Sequence, residues 1–182
     1  MIAPVPAPAL REAGPTATRD AVAMLIARWR AVGTEFVVVD ERGRHTEELR
    51  EGRLDLTRSP AMLTATWIGA TLHRTGFVLL DASNVPRRAR PVVIGRTLAA
   101  VQSLRTQTDT PEWVLIEDAQ DQLRRFRRPP HAMRLTDGGY CLAVRGGVAL
   151  PVAMTAGTGL EVRTTEPDVD LLFVPPVGTV ST

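Results

Sequence analysis

The sequence predicts a single three-layer α/β domain built on a mostly parallel sheet. Short apolar runs recur at 36–39, 77–80 and 113–116, and each ends in an acid. Such runs suit strands covered on both faces, as parallel strands are. Longer segments of helical character separate them, and strand–helix alternation is the pattern of a parallel α/β sheet. Hydrophobic residues make up 44% and charged residues 23% of 182 residues, enough for one soluble domain with a sizeable core.

Taken in order, Pro4, Pro6 and Pro8 predict an extended, loosely held segment over 1–8. The domain proper is expected over 9–174 and opens on a short strand at 9–13. Residues 14–18 read as a turn. Thr18 is the expected cap of a helix that carries Asp20 in its first turn and stops at Gly33. The run 36–39 is the next strand and ends in Asp40, followed by a charged loop over 41–53. Ser59 and Pro60 read as the cap and first residue of a helix that continues to Arg74. A strand over 77–80 follows, ending in Asp81, then a helix over 92–105. Residues 113–116 form a strand that ends in Glu117 and Asp118. A short helix over 119–125, strands at 140–144 and 160–164, and an irregular tail over 175–182 complete the reading.

Composition excludes several chemistries. All 22 basic side chains are arginine, so a phosphate-gripping lysine, a Schiff-base lysine and a lysine general base are absent. A genome that favours arginine codons is the simplest account of this bias. The formal charge is only +2, and the high isoelectric point reflects arginine's resistance to deprotonation. Cys141 is the only cysteine, which rules out an internal disulfide and predicts a reducing, cytoplasmic setting. The start lacks the pattern of a signal peptide, and no apolar run has the length of a membrane span. His45, His73 and His131 show no metal-ligand spacing with one another or with Cys141, so no metal site is expected.

Asp40, Asp81, Glu117 and Asp118 stand where parallel strands present their carboxyl ends, the ligand edge of α/β folds. The plainer reading is that acids follow strands because they cap the next turn. Arg124, Arg125, Arg127 and Arg128 flank Phe126 and form the densest positive segment, with a smaller cluster at 87–90. Both could contact nucleic acid or an acidic partner. The near-neutral overall charge favours solvated helix ends.

The order Gly-Pro-Thr turn, helix, strand with Asp40, strand with Asp81, then Trp113-Val114-Leu115-Ile116-Glu117-Asp118-Ala119-Gln120 resembles the RecA-like P-loop ATPases, nearest their HerA/FtsK-type branch. The resemblance spans about residues 9–165 and implies a RecA-like P-loop fold, with the last segment as its Walker B strand. In that family the Walker B acids hold a magnesium-bound water and polarise the attacking water. Glu117 and Asp118 would be the catalytic pair here, in inverted order. The family's phosphate loop, G-x-x-x-x-G-K-[ST], is degenerate. Gly14, Thr16, Thr18 and Arg19 are its counterparts, and the second glycine, the lysine and the magnesium-binding hydroxyl are missing. Arginine is a poor replacement for lysine in a tight phosphate cradle.

These losses predict a pseudo-ATPase: an inactive homologue acting as a protein-binding or assembly subunit, with a protein partner or a homo-oligomer and no cofactor. One alternative is an unorthodox ATPase that binds ATP and Mg²⁺ through Arg19, Glu117 and Asp118. Another is a nucleic-acid-binding module that uses clusters 87–90 and 124–128.

Overall fold

The computed structural model describes residues 15–58, 64–117, 119, 139–145, 161–166 and 169–174. Among these, seven strands form one sheet: β1 (Phe36–Asp40), β2 (Arg53–Asp55), β3 (Phe77–Asp81), β4 (Trp113–Ile116), β5 (Tyr140–Arg145), β6 (Glu161–Glu166) and β7 (Val169–Val174). Their order is β2-β3-β1-β4-β5-β7-β6. The first five are parallel, in the order 2-3-1-4-5, and β7 joins β5 and β6 antiparallel. Only two residues separate β6 from β7, too few for a parallel crossover, so the chain must reverse direction.

The expected parallel α/β core is present. Every residue of β1 and β3 is buried, as the continuous apolar runs require. Alternation along the strands divides the core in two. One face sets Val37, Val39, Val78, Leu80, Val114 and Ile116 against Ile68 and Leu72 of α2 (Ala65–Thr75) and Ile94 and Leu98 of α3 (Arg90–Thr108). The other sets Phe36, Val38, Leu79, Leu115 and Cys141 against Ala21, Val22, Ile26 and Trp29 of α1 (Pro15–Val32). Full burial of one such aliphatic side chain contributes about 1.5–3 kcal/mol relative to exposure. The α1 face also holds the aromatic rings: Trp29 stacks on Trp113 at 5.8 Å, and Phe36 on Phe77 at 5.8 Å.

Helix boundaries depart from expectation in ways local chemistry explains. α1 begins at Pro15, so residues 15–18, expected as a turn, are helical. Proline is preorganised for the first helical position, where its missing N–H costs nothing. Asp20 therefore lies beyond the first turn. α2 is capped by Thr64, whose Oγ1 accepts from Trp67 N at 3.5 Å; Ser59 and Pro60 lie outside the described residues. α3 extends past both expected ends and stops at Asp109, in the left-handed region at φ 56°. Gly33 and Gly76 end α1 and α2 at φ 75° and 76°, a geometry that suits glycine.

The charged loop after β1 contains a 3₁₀ turn, Arg50–Gly52, and the edge strand β2, neither of them anticipated. β7 was not anticipated either. The segments 1–8, 9–13 and 175–182, and the expected helix at 119–125 apart from Ala119, lie outside the described residues. No described helix is long and apolar enough to cross a membrane.

Candidate functional site

The site is set by the path of the chain around β1. From β1 the chain travels to the edge strand β2 over the α1 face, where Leu49 is fully buried. It then returns through β3 to β4 with α2 and α3 on the opposite face. Opposite directions of travel on opposite faces are what a single crossover hand demands. The strand order therefore reverses at β1, and open α/β sheets leave their crevice at the carboxyl end of such a switch point.

Three carboxylates line this edge. Asp40 and Asp81 are register partners on adjacent strands. Ile116 pairs with Val39, so Glu117, the next residue, comes level with Asp40 on β1's other side. All three are buried, with Asp40 and Asp81 at 0% exposure and Glu117 at 3%. Three acids in a row would repel one another unless each were countered, because buried charge needs a partner.

Each acid is met from within the chain. Asp40 folds the loop that follows it: its Oδ1 accepts from Arg42 N at 2.8 Å and Gly43 N at 2.7 Å, and its Oδ2 from His45 N at 2.9 Å. Gly43 takes φ 70°, and a side chain there would meet Ser83 at 3.1 Å, so the loop lies against the β3 end as well. Asp81 Oδ2 receives Arg53 through Nε at 2.8 Å and Nη2 at 2.6 Å, while Ser83 N donates to its Oδ1 at 2.9 Å. Glu117 Oε1 takes Arg44 Nη1 at 2.6 Å. Its Oε2 faces His45 Nε2 at 3.2 Å, off the line of a good hydrogen bond, so this contact acts mainly through charge.

His45 is 1% exposed and its Nδ1 lies 3.5 Å from Glu48 Oε2. Burial alone would depress its pKa; the Glu117 carboxylate beside it, then Asp40 and Glu48, outweigh that and raise it above its ordinary value. Glu117 shifts the other way. Burial would raise it, but His45 and Arg44 hold it below the ordinary carboxylate range. The two shifts are the two halves of one coupled contact, between a buried carboxylate and a buried imidazole.

The structure thus brings Glu117 together with Arg44, His45 and Asp40, none of which the motif reading paired with it. Asp118, Gly14 and the cluster Arg124, Arg125, Arg127 and Arg128 lie outside the described residues. Thr16, Thr18 and Arg19 sit on helix α1, and Arg19 is exposed. Cluster 87–90 divides. Arg87 and Arg88 are exposed, whereas Arg90 donates to Ser83 O and Val85 O, both at 2.8 Å, and fastens the loop that enters α3. No group of three or more His, Cys, Asp or Glu among the described residues is arranged to hold a metal ion. Arg44, His45 and Arg53 were missed as site residues because Arg44 and Glu117 are 73 residues apart in sequence, and only the sheet order makes them neighbours. The one local signal was a charged, histidine-bearing loop directly after a buried strand.

No family model, curated protein or solved structure matches this chain.

Proposed function

We propose that this chain is a catalytically silent α/β domain that works by binding a protein partner or as an assembly subunit. The observation that carries this reading is the state of Glu117. Both its oxygens face basic side chains of the same chain, Arg44 on Oε1 and His45 on Oε2, in a largely buried setting. A carboxylate that organises magnesium-bound water needs a free oxygen turned toward solvent, and here Arg44 and His45 would first have to be displaced.

Two further features support silence. A phosphate cradle needs an open run of backbone N–H groups before its helix, and residues 15–18 are already helical. A phosphate loop is also fed by a strand of the sheet. Each described strand from β3 across to β7 has neighbours on both sides, so an added strand could join only beside β2 or β6. The finer assignment to a RecA-like P-loop fold therefore rests on the 113–118 segment and the parallel core, and we offer it as ancestry rather than activity.

Calorimetry and thermal denaturation with millimolar ATP and Mg²⁺ test the reading. No binding heat and no rise in Tm are expected. A magnesium-dependent rise in Tm would overturn it, since a ligand at 100 times its Kd adds about 2.7 kcal/mol to stability.

A further inference from the structure

The loop over 41–49 runs from the carboxyl end of β1 past the end of β4, at the strand-order switch point where open α/β sheets leave their crevice. It is anchored at its start by Asp40 and at its end by Leu49, which is fully buried on the α1 face. Between those anchors, its hold on the neighbouring strand end is ionic: Arg44 and His45 reach Glu117, which follows β4. His45 is the member of that contact whose ordinary pKa lies nearest neutrality.

Among the described residues, charged groups face His45 from its own loop, from β1 and from the end of β4. Asp40 of β1 binds its backbone N–H and contributes charge to its ring. Glu48 of the same loop lies by Nδ1, and Glu117 by Nε2. Arg44, the loop's other cation, holds the second oxygen of Glu117. Three acids thus surround one imidazole, and its ring joins the loop to Glu117 at the end of β4. A neutral imidazole can donate from one ring nitrogen only, so it cannot serve Glu48 and Glu117 together.

We propose that loop 41–49 is a pH-released strap, held at the switch point by protonated His45 and loosened when His45 gives up its proton. The sign follows from linkage. A histidine that gains acidic partners on folding contributes its full stabilisation below 6.5, and the contribution fades as pH rises through the higher folded value. Glu117 works in the opposite sense: its contribution is full above its unfolded value and fades as pH falls through the lowered folded one. The strap is therefore tightest in the mildly acidic interval between the two. This proposal is independent of whether the domain has a protein partner.

Amide exchange followed by NMR across pH 5–9 on the whole chain tests it, with rates corrected for base catalysis and the His45 ring followed in the same samples. Protection at Gly43 and His45 should fall about fivefold or more, the lower end of an ordinary coupling between sites. The midpoint of that fall should coincide with the His45 titration, above 6.5. Ser83, whose N–H donates to a carboxylate outside the loop, should not follow. His45→Gln should flatten the response, whereas His73→Gln, at an exposed position on α2, should leave it intact. If His45→Gln fails to fold, the wild-type comparison stands alone. Titration of His45 below 6.5, or constant protection at Gly43 through the His45 midpoint, overturns the proposal.

Discussion

The two ends of the parallel sheet are built on different principles. The carboxyl end is ionic: three buried acids, each answered by an arginine, an imidazole or backbone N–H groups. The amino end is apolar and steric. There Phe36 and Phe77 stack, Gly33 and Gly76 end two helices, and Arg30 lies 5.1 Å above the Phe77 ring. A shallow cavity of about 280 Å³ opens beside them, lined in part by Arg30, Glu51 and Phe77. Further along the same end, Arg105 reaches Pro111 O at 3.0 Å and Glu112 O at 3.1 Å, and Gly139 leaves room for it. The comparison shows where each end is fragile. The ionic end fails when a charge loses its counterpart, the steric end when an atom is added.

Three substitutions sharpen that contrast. Glu117→Ala should have the largest effect, because it removes the carboxylate that Arg44 and His45 share. Breaking a buried ion pair from one side costs about 3–5 kcal/mol, to be read from urea unfolding at pH 6. A loss below about 1 kcal/mol would mean that the carboxyl edge is not held by charge. Gly139→Ala comes next. Its φ of 71° disfavours a side chain, and the added Cβ would lie 2.6 Å from Glu112 O and collide with the Arg105 guanidinium. The combined strain and overpacking are expected to cost about 2–4 kcal/mol, with no change in pH dependence. Arg30→Ala is the mildest. An exposed cation–π contact is worth about 0.5–1 kcal/mol, and a shift in midpoint of that size, insensitive to pH, is the expected denaturation result.

The same contrast governs what the sequence could disclose. The strands at 36–40, 77–81 and 113–116 were legible because burial on both faces forces an unbroken apolar run, a purely local signal. The helix stop at Gly33 was legible because left-handed backbone selects glycine. The start of α1 was misplaced because a Gly-Pro-Thr sequence suits both a phosphate turn and a proline-led helix, and nothing local decides between them. Asp40, Asp81 and Glu117 were picked out as edge residues, but their partners were not. Arg53 meets Asp81, and Arg44 and His45 meet Glu117, only because β2 and β4 flank the β3–β1 pair. A chain read in order carries no mark of that adjacency. β2 is three residues long and charged, so it resembles loop until β3 is known to need an edge partner.

Cys141 sits on β5 at 0% exposure, beneath α1, and burial pushes its thiol well above the usual range. Thiolates, not thiols, react with alkylating reagents. The folded chain therefore carries a single silent label site at the centre of its sheet, between the ionic end and the steric end. The rate at which a small electrophile modifies it is a clock for opening of the whole core, blind to loosening confined to the loop over Asp40.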